Sequence, residues 1–583
     1  MKWYAMLQRN HTLEYKVNLT VEQSQSRALE YLALTHPLTE RLDLVEIFNR
    51  HCALAPQAGN DNGIVLTVLT QSRLAPTAVP LVHMSAWAEQ YAIGDLYPLS
   101  SSAFNDDACG RALDALYPVL GQVWAGLLGR VQAEFGLDLS VLHTDMTRIQ
   151  VEGHYDETQA PTRTGPEPAR PRYGYAPKGF DPRRKQLGLS LSVTPQGLPA
   201  WWLAHDGNAS DVPMYQQHLF ALRTWLKELH PIMVGDSKLP TADNRLAFHR
   251  AGAYYVGPAS LRQEDMRVLE QLWQSGAVRE PLLARAQDAQ DPVRFWGLAI
   301  QEERQDPEEP TRRYGERTVF VFSSEERRTI RHARAKALWK ARAALQHVRA
   351  QLNRGRYQTR DYILRQLHQH MGLGAAFITL HLDVSEDDVG QTCFTLGWKL
   401  DHQALGQVAP FDGWYRLLTN LPEAEYPMGA VLALYKGQSH VEGAFKQIKH
   451  WPSQVAPLWL HQPARIEALL GLTAIALLLT GILAHELHQA IAQAPTPPTG
   501  LQPENRDHLP VTARRLWQIM LGLRVMTIIM CAPDGSRWQL TVVDTPNPAQ
   551  STVFSLLNWP RPSDYVPVGL KPAISLETCG KSD

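Results

Sequence analysis

Ser140–Ile149 reads SVLHTDMTRI and His230–Leu239 reads HPIMVGDSKL. Each is a short apolar run that an aspartate closes, Asp145 in the first and Asp236 in the second. Between them, Gln186–Val193 and Ala200–Ala204 have strand character and Met214–Leu229 has a helical period. A further apolar strand is expected at Ala253–Val256. The order is therefore strand, strand, strand, helix, strand, strand. The first three strands, with Ser140–Thr144 as the first, are close enough in sequence to pair antiparallel, with residues 154–185 as an extended connection. Within that connection Pro161–Pro182 carries six prolines and three glycines, too many for regular structure.

A third acid, Glu442, lies in a helical pattern, YKGQSHVEGAFKQIK, over Tyr435–Lys449. Two carboxylates at strand ends and one from a facing helix can converge on hard cations, which prefer oxygen ligands. Two such ions about 3.5–4 Å apart can activate a water or a 3′-hydroxyl and stabilise the leaving oxygen of a phosphodiester. Taken singly, each acid also has a plain reading: an aspartate after a strand caps a turn, and a glutamate on a helix is solvated.

Composition bounds the alternatives. The chain has 583 residues, 57 basic and 58 acidic side chains and a formal charge of −1, with 44% hydrophobic and 20% charged residues. That excludes a disordered chain, a collagen-like fibre and a polytopic membrane protein, and the length predicts about three or four domains. Five scattered cysteines without a CxxC pair point to a reducing compartment and no structural zinc. Met1–Asn10 lacks the apolar segment of a signal peptide, so export is not expected. Ile466–Ala484, IEALLGLTAIALLLTGILA, is long enough to span a membrane and has Glu467 as its only charge. As a single apolar segment in mid-chain, it is expected to be a buried core helix.

Helical periodicity marks Leu42–His51, Val82–Tyr91 and a long amphipathic stretch, Asp107–Phe135, while Gly63–Leu74 fits a strand or a buried helix. Residues 264–310 are rich in Glu, Asp and Gln. Arg327–Arg365 is the reverse, with twelve Lys or Arg against the single acid Asp361, and should be helical. Strand-like runs return from Gly374–Thr379 and end in Trp414–Thr419; Tyr435–His450 is expected to be one helix. A second basic cluster, including Arg163, Lys178, Arg184 and Lys185, follows the first strand. No GxxxxGK[ST] run is present, and His485-Glu486-Leu487-His488 lacks the HExxH spacing of a zinc site.

With these motifs together, the chain resembles the DDE transposases of bacterial insertion sequences, in the group whose last motif runs Tyr, two residues, Arg, three residues, Glu, six residues, Lys. Tyr435, Glu442 and Lys449 fall on that spacing, and Gln438 takes the Arg position, with Lys436 nearby. Asp145-Met-Thr147 has the D-x-T form of the first acid and Val234-Gly-Asp236-Ser237 the usual form of the second. Gly207-Asn208-Ala-Ser-Asp211 matches the GNxxD segment, Asp412-Gly413 to Thr419-Asn420 the DG…TN strand, and Asn105–Asp114 the N-terminal region of one subgroup. The resemblance spans about residues 35 to 495.

The resemblance implies an α/β fold with a ribonuclease H-like catalytic core, a mixed five-stranded sheet with flanking helices, carrying a large insertion and a helical N-terminal domain. The expected division is 1–135 for a helical DNA-end-binding domain and 136–260 for the first part of the core. Residues 261–405 form the insertion, 406–495 the rest of the core, and 496–583 a C-terminal region suited to dimerisation or DNA contact. It implies catalysis by Asp145, Asp236 and Glu442 on two Mg2+ ions, for which Mn2+ can substitute. Tyr435, Gln438, Lys436 and Lys449 would contact DNA, as would Arg331, Arg334 and Arg342 of the basic helix and Arg184 and Lys185 of the loop. Thr147 and Asn208 would support the site. The partners implied are double-stranded DNA, as terminal inverted repeats and target, and a second copy of the chain in a synaptic complex, with no membrane. The location implied is the cytoplasm of a prokaryote, at the nucleoid. The alternatives are a ribonuclease H-like nuclease and an inactive DNA-binding derivative.

Overall fold

Val141–Gln150 buries Leu142, His143 and Thr144 and then Thr147 and Ile149, and forms the strand β1. The protein is described here from a computed structural model, which covers residues 19–52, 61–151, 155, 167–177, 179–225, 230–277, 279–282, 285–286, 292–386, 390–449, 459–503, 506 and 510–572. Two compact units are present, Met1–Met233 with Gly437–Asp583, and Val234–Lys436.

In the first unit, β1 pairs antiparallel with β2 (Gln186–Val193), and β2 with β3 (Pro199–His205). The short strand β4 (Ile232–Val234), within which the unit boundary falls, lies on the other side of β1, giving the order β3-β2-β1-β4. β2 is buried on both faces: Leu187, Leu189 and Leu191 alternate with Gly188, Ser190 and Ser192, and all are buried. The fold is thus α/β. It has the strand arrangement expected of the core, with Asp145 on the first strand and Asp236 just after the fourth.

The apolar segment forms the helix Pro463–Gln493, in which the 18-residue window that satisfies the length and hydropathy of a membrane span is 89% buried. It packs on β3 and on helices of the N-terminal region, including Leu32–Arg41, Asn62–Ser72 and Asp106–Leu116. At roughly 1.5–3 kcal/mol for each fully buried aliphatic side chain, this helix is a principal source of the unit's stability. Gly471 allows the close approach: a Cβ there would lie 2.7 Å from Leu120 and 2.8 Å from Trp202. Gly63–Leu74 resolves as a buried helix, Asn62–Ser72. The stretch Asp107–Phe135 is two helices, Asp106–Leu116 and Leu120–Phe135, because Pro118 interrupts it with a 3-10 turn. One element was not expected. The strand Thr20–Ala28 pairs antiparallel with Arg524–Cys531, which continues through Arg537–Val543 to Gly569–Pro572, so the two ends of the chain share a sheet.

In the second unit, β5 (Tyr254–Ala259), β6 (Phe295–Gln305), β7 (Arg313–Ser323) and β10 (Trp414–Thr419) are ordered β5-β10-β7-β6. The hairpin β6–β7 continues the sheet of β10, although residues 264–310 are acidic in composition, because the first strand buries Phe295, Gly297 and Leu298 and confines its exposed polar residues to Gln301–Gln305. Arg327–Arg365 forms two helices, Ser324–Gln351 and Arg360–Met371, separated around Asn353 and Gly355, both at positive φ. These pack with the hairpin of β8 (Ile378–Glu386) and β9 (Thr392–Leu400) about a core of their own that includes Leu345, Ile363, Leu367 and Phe394. Gly372–Phe377 is a 3-10 turn, and β8 starts only at Ile378.

Candidate active site

Asp145 lies in the middle of β1, not at its end: the strand runs on through Thr147 and Ile149, both buried, to Gln150 opposite Gln186. The continuation holds because β2 offers partners along the whole length, with Asp145 opposite Leu191. Asp145 is half-buried, and its Oδ1 accepts a hydrogen bond from the Met146 amide at 2.7 Å.

Glu442 is exposed in the first turn of the helix Ser439–Lys449. The expected single helix Tyr435–His450 is broken by a turn at Gly437–Gln438 that separates it from the helix Met428–Lys436. Val441, Ala444 and Phe445 are buried, and the Glu442 helix packs on β1 and β2. Gln438 joins the two: its Nε2 donates to the carbonyl of Thr144, one residue before Asp145, at 3.3 Å, while its Oε1 is buried without a hydrogen-bond partner among the described residues. The Tyr215 hydroxyl donates to the same Thr144 carbonyl at 3.4 Å.

Beneath Asp145 runs a buried polar ladder that the motifs do not announce. Thr144 Oγ1 and Ser192 Oγ are 2.7 Å apart, and Ser192 Oγ lies 2.8 Å from His218 Nδ1. His218 Nε2 is 2.7 Å from Ser190 Oγ, which is 2.6 Å from His205 Nε2. Burial lowers the proton affinity of both rings, His205 to about 4, so the ladder is held neutral and adds no cation beneath the carboxylate. The serines alternating in β2 are its only trace in the sequence.

The GNxxD segment is held by a residue of the Asp145 strand. Arg148 donates to the carbonyls of Gly207 at 3.1 Å and Ala209 at 2.6 Å and pairs with Asp211 at 2.7 Å. Gly207 has no room for a side chain, since a Cβ would stand 2.0 Å from the Gln186 carbonyl oxygen. Asn208 is exposed beside it and Thr147 is buried. In the basic loop, Lys185 donates to the Tyr155 carbonyl at 2.6 Å and lies over the Tyr173 ring, and Arg184 lies 3.9 Å from Asp181.

Asp236 belongs to the second unit, two residues beyond β4 and half-buried. Its Oδ1 accepts from the Lys238 amide at 2.9 Å and its carbonyl from Leu239 at 3.1 Å, so it shapes the turn that leaves the strand. Tyr435 tilts against Tyr415, and Lys436 Nζ sits 5.0 Å from the Phe295 ring centre. The DG…TN motif is a set of pins. Asn420 accepts from the Tyr255 amide at 2.9 Å and donates to the Ala253 carbonyl at 2.8 Å, and Thr419 Oγ1 donates to Tyr255 O at 2.7 Å. Asp412 is buried and paired with Arg334 at 2.9 Å, and Arg331 lies 3.5 Å from the same carboxylate. Arg342 is exposed on the same helix. The Lys449 side chain, Arg163 and Lys178 lie outside the described residues.

Among the described residues, no group of three or more His, Cys, Asp or Glu side chains is gathered to hold a metal ion. The donor type of Asp145, Asp236 and Glu442 nevertheless suits a hard divalent cation, since all three offer carboxylate oxygens.

Comparison with known proteins bears on this arrangement. A domain of unknown function, DUF4277, matches residues 24–121. No curated protein matches the chain in sequence. Among solved structures, the chain is similar to piggyBac transposase in a synaptic complex with hairpin DNA, at 9% identity and a TM-score of 0.32 over 86% of this chain and 82% of that one. It is also similar to Mos1 transposase in a paired-end complex with the left transposon end, at 14% identity and a TM-score of 0.13 over 35% of this chain and 60% of that one. At these TM-scores neither likeness bears on fold or function. The transposase DDE domain model matches residues 138–479, which contain Asp145, Asp236 and Glu442 and amount to more than half of the chain, and the protein therefore belongs to the DDE transposase family.

Proposed function

We propose that the protein is the transposase of a bacterial insertion sequence. It binds the terminal inverted repeats, cleaves the 3′ ends and joins them to target DNA by attack of the freed 3′-hydroxyl. The observation that carries this reading is the seating of the Glu442 helix on the Asp145 strand, inside the segment that matches the DDE domain model.

In this reading Asp145, Asp236 and Glu442 hold two divalent cations, Mg2+ or in its place Mn2+. When bound, the ions supply charge to activate a water or 3′-hydroxyl and to stabilise the leaving oxygen. The rest falls to the chain itself. Gln438 and Tyr215 fix the Thr144 carbonyl and with it the position of Asp145. Arg148 holds the loop that presents Asn208, and Thr147 packs beneath the strand face. Tyr435, Lys436, Lys449 and the exposed Arg342 contact DNA phosphates. Arg331, Arg184 and Lys185 serve the same partner at the margin, while Arg334 is committed to Asp412 and acts on DNA only through the shape of its helix. Double-stranded DNA and a second copy in a synaptic complex are the partners, in a prokaryotic cytoplasm at the nucleoid. The domain roles follow the same pattern: 1–135 recognises ends, 136–260 and 406–495 form the catalytic core, 261–405 is the insertion, and 496–583 serves dimerisation or DNA contact.

A second reading is favoured by one observation. Gln438 stands where the motif has Arg and spends its amide on Thr144, which suits a DNA-binding derivative that no longer cleaves. Incubating the full chain with Mg2+ and a duplex carrying the inverted repeats that flank its gene separates the two. Nicks at the repeat boundary and joined products are expected; binding without nicking would favour the inactive derivative. Cleavage that ignores the repeats would favour a ribonuclease H-like nuclease.

A further inference from the structure

Most charges at the end of the second unit's sheet are internally matched. The buried Glu316 carboxylate is held by Arg245, Arg304 and the Tyr255 hydroxyl, and Asp306 pairs with Arg250 at 2.6 Å. Arg317 is the exception. It is 3% exposed, its Nη2 donates to the Tyr426 carbonyl, and its Nε and Nη1 have no hydrogen-bond partner among the described residues. Three of the five N–H bonds of a guanidinium are on those two atoms. A buried cation with most of its donors unfilled is rare, because it has lost its water without replacement. Among the described residues the opposing charge that acts on it is the exposed Glu423, and burial holds its pKa below the usual arginine value.

Arg317 lines a cavity of about 340 Å3 at the ends of β5, β7 and β10. His249 lines it too, stacked on Tyr314 at 4.1 Å, and its Nε2 is likewise buried without a partner among the described residues. Burial first, then nearby Arg312, lowers its pKa, with Asp306 and Glu316 opposing. Of the other polar lining groups, the amide of Asn420 is fully used on Tyr255 and Ala253, Gln301 is exposed, and the Glu316 carboxylate, the one acid of the lining, is already held by Arg245, Arg304 and Tyr255. The unfilled groups are therefore donors on two edges of one guanidinium and one ring nitrogen on a different element. A planar carboxylate has two oxygens to meet them; a tetrahedral phosphate has more. At about 30 Å3 for each water in the liquid, the cavity has room for a phosphate group and several waters.

We propose that this cavity is a phosphate-binding site, in which Arg317 through Nε and Nη1 and His249 through Nε2 donate to the oxygens of the ligand. The site lies wholly within Val234–Lys436 and uses none of the three acids assigned to cleavage. Its ligand chemistry has two sources, the free or nucleotide phosphate monoester and the phosphodiester of a DNA strand.

The test is calorimetric titration of the full chain with inorganic phosphate at constant ionic strength, with chloride as control. Saturable binding is expected in the wild type, weakened about tenfold or more in Arg317→Met, since charge-assisted hydrogen bonds are removed. Without phosphate, Arg317→Met should melt no lower than the wild type, because it removes an unmatched buried charge. His249→Phe, which keeps the stacking on Tyr314, should also weaken phosphate binding. No saturable heat in the wild type, or unchanged affinity in either variant, would overturn the site. A short duplex that displaces bound phosphate assigns the pocket to a DNA phosphodiester; phosphate that stays bound beside the duplex assigns it to a free phosphate.

Discussion

Gln438 donates a hydrogen bond to the carbonyl of Thr144 at 3.3 Å, and so fastens the start of the Glu442 helix to the strand residue that precedes Asp145. Two acids 297 positions apart in sequence, 145 and 442, are thereby carried on elements held to each other. Replacing Gln438 by Ala removes the tether and also the buried, unpartnered Oε1. The two effects oppose, so the expected cost in urea unfolding is about 1 kcal/mol or less. Cleavage should fall by more than stability does, because the strand and helix lose their common anchor. Gln438→Ala with wild-type cleavage would show that the packing of Val441 and Phe445 alone sets the geometry.

Asp145→Asn, Asp236→Asn and Glu442→Gln keep the shape of each side chain and remove its charge. Each should reduce end cleavage and joining to background while leaving duplex binding within about twofold, and Ca2+ should support assembly better than chemistry. Parallel gel assays of binding and cleavage decide it. A Glu442→Gln protein that cleaves at the wild-type rate would place the third acid elsewhere in the segment after Asp412.

Arg334 and Arg342 are expected to part company. Arg334 faces the buried Asp412, so Arg334→Leu strands a carboxylate and should cost about 3 kcal/mol in chemical denaturation. Arg342 is exposed, so Arg342→Gln should leave stability nearly unchanged. It should instead lower DNA affinity and reduce the slope of log K against log salt by about 0.9 for each phosphate that the variant no longer neutralises. If both variants change only the salt slope, the Asp412 pair is not a structural anchor.

Glu467, the single charge of Ile466–Ala484, accepts a hydrogen bond from the Ala169 amide at 2.8 Å, and burial pushes its carboxyl up to about 7. The folded pKa lies above the ordinary glutamate value of 4.5, so this group's contribution to stability is complete below about pH 4.5 and lost as pH rises through 7. Glu467→Gln should therefore be more stable than wild type at pH 8, by on the order of 2 kcal/mol, with the difference vanishing near pH 4.5. Comparing the two proteins at each pH cancels the opposite trend from His205, whose neutral ring costs stability as pH falls from 6.5 towards 4. Equal stabilities at pH 8 would mean that the ionised carboxylate is solvated.

The sequence by itself determined several of the strands, including the one that carries Asp145. Gln186–Val193 and Trp414–Thr419 fall where the sequence places them, the first on its alternating leucines and the second on its large apolar residues. The burial of Ile466–Ala484 followed from an apolar segment with no polar face to show to water. The helix breaks were not read from the sequence: Pro118 divides the stretch Asp107–Phe135, and a turn at Gly437–Gln438, where Gln438 donates to Thr144, divides Tyr435–His450. Tertiary structure alone decided the pairing of Thr20–Ala28 with Arg524–Cys531, since nothing local encodes a partner some 500 residues away. It also decided what each of many arginines meets. Arg334, Arg342 and Arg317 are alike in sequence, yet one meets a buried carboxylate, one meets water and one meets a cavity. A side chain's charge is written in the chain, but its compensation depends on what the fold brings within about 4 Å of it.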